Sequence, residues 1–225
     1  MSRVDQARKG FLTGNTEAIK KSHSKEAIHQ SIHHHEAHLT SFNLPEIILG
    51  GQDGLVNVLG VILGVAAATV SSKIIIVAGL AATFAESISM AAVAYTSKIA
   101  EADYYQSELE REQWEIKNVP EGEKEEIRAL YENYGFKGKV LSEIVGKITS
   151  DKEIWLKVMM EQELKLEPVN RKQALPAAFI VGTSAFIGSL IPLTAFFFLP
   201  VKQSIIISLI ASAITLFVVG YYKAK

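Results

Sequence analysis

The sequence contains no cysteine in its 225 residues. Without thiols, the chain has neither disulfides nor thiolate metal sites, so any metal ligands must be carboxylates, imidazoles or thioethers. Its formal net charge is only −1. This balance argues against nucleic acid as a partner, because nucleic-acid-binding proteins present a basic face. The first 43 residues lack an apolar core followed by a cleavage site, so we expect no signal peptide.

Charge is also scarce in four apolar blocks, which cover residues 46–69, 74–96, 175–199 and 201–221. Each block has about the 20 residues that a helix needs to cross a bilayer. The interruptions within each pair are only a few residues long, which predicts two tight hairpins of membrane helices. The predicted fold is therefore an all-α polytopic membrane protein with four transmembrane helices and a helical insert between the second and third. We expect the four transmembrane helices to lie in a lipid bilayer.

These blocks divide the chain into four parts. We predict a polar, His-rich segment at 1–43, transmembrane helices at 44–96, a helical domain at 97–173, and transmembrane helices at 174–225. Nearly all Lys and Arg residues lie outside the apolar blocks. An even number of spans places the N-terminal segment, the insert and the C-terminal tail on one side, and their excess of Lys and Arg indicates the cytosolic side.

Two ionisable residues interrupt the first two apolar blocks. Asp53 lies in the first and Glu86 in the second. A charged group at membrane depth costs roughly 2.5–3.5 kcal/mol on insertion scales, so it is a functional-site candidate. Helical spacing places each acid on a face of polar and small residues, which are Gly50, Asp53, Asn57, Gly60 and Gly64 in the first block and Thr83, Glu86 and Met90 in the second.

Two interpretations of these faces remain open. In the first, the two carboxylates and Asn57, with the Met90 thioether beside Glu86, line a path for a cation, and Gly60 and Gly64 form a GxxxG packing pair. In the second, Asp53 lies near the membrane surface and only caps a helix, with Gly50 and nearby glycines forming a bent start. The two acids together favour the first interpretation.

The insert carries acids at helical spacing. Pro120 is expected to break its first helix, Gly135 to end the next, and two more helices to follow near 138–148 and 151–166. Closely spaced like charges destabilise a helix, and bound cations would remove that repulsion. The stacked residues are Glu108, Glu112 and Glu115, then Glu123 and Glu126, then Met159, Met160, Glu163 and Glu167.

The chemistry of the insert also has two interpretations. Thioethers beside carboxylates suit a late first-row metal ion better than Ca²⁺ or Mg²⁺. However, acid-rich helices are usually solvated faces, here with Lys117, Lys124 and Arg128 as partners, and Met usually fills a helix core.

All six histidines fall between residues 23 and 38. They form a tract that either binds metal loosely or belongs to an amphipathic helix beside the membrane. Glu26 and His29 have the ExxH spacing, but di-iron bundles need two such motifs, so an enzyme that oxidises Fe²⁺ is weakly supported. The tract consists of His23, His29, His33, His34, His35 and His38.

With these residues in view, the chain resembles the vacuolar iron transporter family over about residues 40–220. The resemblance rests on "ILGGQDGLVNVLGVILGVA" and "AESISMAAVAYTSKIAEADYY" in the first two blocks. It rests also on "EREQWEIKNVPEGEKEEI" and "VMMEQELKLEP" in the insert. The order of the four motifs makes the resemblance specific.

The resemblance implies a homodimer that exchanges Fe²⁺ and similar ions, such as Mn²⁺, for protons along a path between the first helices of two subunits. Pathway residues would be Asp53 and Met90, with Glu86 nearby. The family usually has five membrane helices, so a loop and a fifth helix would be expected after "GYYKAK". The implied metal ligands of the insert are Glu112, Glu115, Glu123, Glu126, Met159, Met160 and Glu163, with Glu167 a less certain match.

The sequence thus predicts a transporter rather than an enzyme. It would carry a divalent transition metal out of the cytosol by metal/H⁺ antiport, in a vacuolar membrane of a eukaryote or the cell membrane of a prokaryote. No cofactor is required, since the metal is the substrate. The alternative is a membrane-anchored metal buffer or sensor without transport.

Overall fold

A computed structural model describes residues 3–27 and 44–224 of the chain, and within these ranges all regular secondary structure is helical. By its contacts the chain divides into two units, Met1–Pro45 and Glu46–Lys225. The first unit contains α1 (Arg3–Leu12) and α2 (Thr16–Ser22). Asn15 caps α2, because its side chain accepts a hydrogen bond from the Ala18 N–H at 3.0 Å.

Of the histidine tract, only His23 lies within the described residues. Its Nδ1 lies 2.9 Å from the Ile19 carbonyl oxygen, at the end of α2. The ExxH motif and the other five histidines, His29, His33, His34, His35 and His38, lie wholly or partly outside the described residues.

Four long helices match the predicted apolar blocks. They are α3 (Leu44–Ala68), α4 (Ser72–Asn118), α8 (Ala174–Phe198) and α9 (Val201–Ala224). Each lies in a helical stretch long and apolar enough to cross a membrane. This confirms the prediction of an all-α polytopic membrane protein.

Helix α4 is longer than its apolar block. It runs unbroken for 47 residues, or about 70 Å, which is more than twice the thickness of the hydrocarbon core. Its N-terminal half packs with the membrane helices, and its C-terminal half forms part of the insert. One rigid helix therefore connects the two regions that carry the predicted metal ligands.

Close contacts between α3 and α8 depend on glycine. A Cβ at Gly50 would collide with Ser184 and the Val181 carbonyl, and a Cβ at Gly54 would collide with the Ala185 carbonyl. The glycines at the start of α3 therefore allow a backbone approach and do not form a bend, since α3 is continuous from Leu44.

Further along, the membrane helices share an apolar core. Val58 and Ile62 of α3, Ile75 of α4, and Leu193 and Phe196 of α8 are all buried there. Helices α8 and α9 also make hydrogen bonds across their interface.

Serine hydroxyls connect α9 to α8. Ser204 Oγ donates to the Ala195 carbonyl at 3.1 Å, and Ser208 Oγ donates to the carbonyl of Pro192. Such bonds satisfy hydroxyls that lie away from water and fix the hairpin formed by α8 and α9.

The insert is a small helical domain with its own core. It consists of the second half of α4, then α5 (Pro120–Asn133), α6 (Gly138–Thr149), α7 (Lys152–Val158), a π-helical turn (Met159–Glu163), and a 3₁₀ turn (Arg171–Gln173). Its buried residues include Ile116, Ile127, Leu141, Val145 and Trp155.

Two predicted boundaries of the insert are confirmed and one is wrong. Pro120 starts α5, and Gly135, with φ of 93°, follows its end. The helix predicted over 151–166 is present, but its end is wrong, because α7 stops at Val158, the chain widens into the π-helical turn, and that turn ends at Glu163. Lys165, with φ of 57°, prevents the helix from continuing.

Candidate metal centres

The first candidate site is a group of carboxylates in the insert, which we call the acidic cluster. Its members are Glu112, Glu115, Glu123, Glu126 and Glu163. Glu112 and Glu115 come from α4, Glu123 from α5, and one carboxylate oxygen from each lies within 4.8 Å of the others. Glu126 and Glu163 are close enough for their charges to act on Glu112. Three elements of the insert, α4, α5 and the π-helical turn, thus bring five predicted ligands together.

Two members of the acidic cluster are buried. Glu112 is 1% exposed and Glu123 is 4% exposed. The Oε2 atom of each has no hydrogen-bond partner among the described residues. A buried carboxylate without a partner is costly, so these two oxygens are arranged to receive a proton or a cation.

Burial and mutual repulsion raise the pKa values of the cluster. Burial, followed by the charges of Glu112 and Glu126, raises the pKa of Glu123 to about 7. Burial also raises the pKa of Glu112, although the neighbouring Arg111 opposes this, and burial with Glu126 raises the pKa of Glu163. A divalent cation would favour the ionised forms of all of these groups.

Arg111 is the cation that the cluster holds, and the sequence analysis missed it. Its guanidinium lies 2.7 Å from Glu112 Oε1, 2.5 Å from Glu115 Oε2 and 2.8 Å from Glu108 Oε2. Two of the three cations expected to serve a solvated face pair with acids outside the cluster, Lys124 with Glu121 and Arg128 with Glu125. Because Glu112 and Glu123 are also buried, the cluster differs from an ordinary solvated face.

The two methionines of the π-helical turn are both buried. Met159 packs in the core of the insert with Trp155 and Ile127, as expected for a core residue. Met160 is 2% exposed and lies outside that core group, so its thioether is the better candidate donor. Tyr131 Oη donates to Gln162 Oε1 at 3.2 Å, which ties the turn to α5.

Glu167 is a predicted carboxylate ligand of the insert that the structure does not bring to the acidic cluster. It is exposed, lies after Lys165, and no described contact joins it to the other acids.

The second candidate site lies between α3 and α4. Asp53 and Asn57 of α3 lie close enough to Glu86 of α4 for their side chains to influence its carboxyl group, so three of the four predicted pathway residues are neighbours. Met90 is one helical turn from Glu86 and half-buried. Two neighbouring carboxylates repel each other, so a cation between them would be favoured.

Asp53 does not cap a helix. It lies in the interior of α3, nine positions after Leu44, which contradicts the interpretation of Asp53 as a surface cap. Thr83 is also not part of the grouping, because its buried hydroxyl donates to the Gly79 carbonyl at 2.8 Å.

The predicted small face of α3 divides into two parts. Gly50 packs against α8, whereas a Cβ on Gly60 or Gly64 would have nothing within 4 Å among the residues that the structure describes. Gly60, Gly64 and Asn57 are exposed in the single chain. One part of this face therefore packs against α8, and the other part is an open surface.

The fold and these two sites define a class, namely polytopic α-helical membrane proteins with grouped carboxylates both among the spans and in a helical insert. The model of the VIT family matches residues 44–225. The chain belongs to this family, which confirms the predicted resemblance.

Several curated relatives resemble the chain over most of its length. Vacuolar iron transporter 1 of Tulipa gesneriana is 36% identical, over 85% of this chain and 78% of the relative. Vacuolar iron transporter 1 of Arabidopsis thaliana is 34% identical, over 85% and 77%. The vacuolar iron transporter of Plasmodium berghei is 31% identical, over 99% and 85%.

Proposed function

We propose that this protein transports Fe²⁺, and also Mn²⁺, out of the cytosol in exchange for protons. The observation that carries the proposal is the grouping of Asp53, Glu86 and Asn57 between two membrane helices. The similarity to relatives named vacuolar iron transporters supports iron as the substrate. The membrane is a vacuolar membrane in a eukaryote or the cell membrane in a prokaryote.

The exchange follows from charge. The carboxyl pair Asp53 and Glu86 holds a proton when no metal is present, since two adjacent negative charges in a poorly solvated site repel each other. A divalent cation that binds the same oxygens displaces that proton. Release of the metal on the far side allows a proton to return, so the two ions move in opposite directions. The thioether of Met90 favours transition metals over Ca²⁺.

The insert gathers ions on the cytosolic side in this proposal. Its acidic cluster offers hard oxygen donors, and Met160 offers a buried soft sulfur donor in the same domain, a set that suits Fe²⁺ and Mn²⁺. The continuous helix α4 joins the insert to the membrane site.

A homodimer is part of the proposal. On the exposed surface of α3 at Gly60 and Gly64, an added Cβ would meet nothing within 4 Å among the described residues, which leaves space for a second helix. Small residues of this kind allow close helix contact in membranes. A second copy at this face would place two Asp53–Glu86 pairs on either side of one path.

Flux in proteoliposomes tests the transport mechanism. Fe²⁺ or Mn²⁺ uptake and internal pH are recorded together for the wild type, Asp53→Asn, Glu86→Gln and Met90→Leu. We expect metal and protons to move in opposite directions, Asp53→Asn and Glu86→Gln to lose most of the flux, and Met90→Leu to lose discrimination against Ca²⁺.

The matched control is Glu101→Gln, on the same helix. Glu101 is exposed and forms an ordinary surface pair with Lys98, which contributes little, so its flux should equal that of the wild type. Wild-type flux in both Asp53→Asn and Glu86→Gln would refute the mechanism.

A metal buffer or sensor anchored in the membrane is the second candidate. The separate core of the insert favours it, because Ile116, Ile127 and Trp155 hold the acidic cluster in place without the membrane site. Metal binding by the full chain without any flux would select this function over transport.

A further inference from the structure

Arg111 forms ion pairs with two of the carboxylates that a metal ion would use. Its guanidinium binds Glu112 Oε1 at 2.7 Å and Glu115 Oε2 at 2.5 Å. Both residues are members of the acidic cluster, and Glu112 is fully buried. A divalent cation bound to the remaining carboxylate oxygens, such as the unpartnered Oε2 of Glu112, would be repelled by a guanidinium at such distances, because both groups are positively charged.

Arg111 also has a partner that the metal does not need. Glu108 lies one helical turn earlier and accepts hydrogen bonds from Arg111 Nε at 3.1 Å and from Nη2 at 2.8 Å. Glu108 is not among the predicted ligands. The Arg111 side chain is 44% exposed, so its long stem has space to move outward. It can therefore release Glu112 and Glu115 and remain bound to Glu108.

From these contacts, and on the basis of the metal-binding role proposed above, we infer that Arg111 is an internal counter-ion of the acidic cluster. It occupies the cluster when metal is absent and competes with a divalent ion for Glu112 and Glu115. Its competition weakens metal binding and keeps the bound ion exchangeable. It also lowers the attraction of the cluster for Na⁺ and K⁺, because a single positive charge already neutralises part of the site.

The test compares Arg111→Gln with the wild type in the full-length protein in detergent. MnCl₂ is titrated at neutral pH, and tryptophan fluorescence is followed, since both tryptophans, Trp114 and Trp155, lie in the insert. We expect Mn²⁺ to bind Arg111→Gln about tenfold more tightly, which equals about 1.4 kcal/mol. The partly exposed position of Arg111 limits the effect to this size.

Salt dependence separates competition from a structural effect. With Arg111 removed, the cluster is more negative, so added NaCl should weaken Mn²⁺ binding more steeply in Arg111→Gln than in the wild type. Arg128→Gln is the matched control, because Arg128 pairs with Glu125 outside the cluster. This variant should keep the affinity and the salt dependence of the wild type.

Arg111→Lys provides a second variant in case the glutamine variant folds poorly. Lysine keeps the charge but lacks the planar fork that spans two carboxylates, so its affinity should lie between those of the other two proteins. Equal or weaker Mn²⁺ binding in the variants that fold would overturn the role of Arg111 alone. Absence of Mn²⁺ binding in the wild type would instead refute the proposed metal site, and the role of Arg111 with it.

Discussion

Glu123→Gln should stabilise the metal-free insert at alkaline pH and have little effect at acid pH. The pKa of Glu123 rises from 4.5 to about 7 in the folded protein because the group is buried beside other acids. Folding therefore favours the protonated carboxyl, whose contribution is complete below pH 4.5 and is lost as the pH rises through about 7. Glutamine mimics the protonated form at every pH.

The magnitude follows from the two pKa values. A difference of about 2.5 units costs the folded insert about 3 kcal/mol once Glu123 is fully ionised, since each unit is worth 1.36 kcal/mol. The free energy of unfolding of Glu123→Gln relative to the wild type should thus increase by about 3 kcal/mol between pH 4 and pH 8.

Urea unfolding followed by tryptophan fluorescence measures this difference in the full chain, because both tryptophans report on the insert. Glu125→Gln is the control on the same helix, where the carboxylate is 72% exposed and paired with Arg128, and it should show no such pH-dependent gain. A difference between Glu123→Gln and the wild type that stays constant from pH 4 to pH 8 would refute the burial argument.

Three further substitutions test other parts of the structure. Gly54→Ala should lower the melting temperature through a collision with the Ala185 carbonyl, at a cost of about 1–3 kcal/mol, whereas Gly51→Ala, whose Cβ would meet the Ser184 carbonyl oxygen at an ordinary 3.7 Å, should not. Met160→Leu should preserve the fold but bring the affinities for Fe²⁺ and Ca²⁺ closer together by several-fold in a competition titration. Asp151→Ala removes the cap that accepts from the Glu153 N–H at 2.9 Å and should cost about 1 kcal/mol in urea unfolding.

The sequence predicts features that depend on local chemistry. Four long apolar blocks predict four membrane helices, and Pro120 and Gly135 indicate helix boundaries because proline and glycine constrain the backbone wherever they occur. Helical spacing also places Asp53 with Asn57 on one face. The sequence alone does not place these residues beside Glu86, because packing decides how α4 is rotated relative to α3.

Features that depend on neighbouring helices could not be predicted. Gly50–Gly54 and Gly60–Gly64 have the same spacing in α3, yet only the first pair packs inside the chain, because α8 lies beside it. Spacing alone does not reveal which pair meets a partner.

The role of Arg111 was hidden for a similar reason. In sequence it stands among acids as one of several cations, and only the fold shows that it reaches the buried Glu112 while Lys124 and Arg128 do not. The π-helical turn that buries Met160 depends likewise on packing around α7.

Anomalous X-ray scattering from crystals of the full chain soaked in MnCl₂ tests the central claim most directly. The account predicts two peaks, one between Asp53 and Glu86 and one within the acidic cluster beside Glu112 and Glu123, with the guanidinium of Arg111 turned toward Glu108. Asp53→Asn should lose the first peak and keep the second. A Mn²⁺ peak in the insert with none at Asp53 and Glu86 in the wild-type crystal would contradict a metal path through the membrane helices.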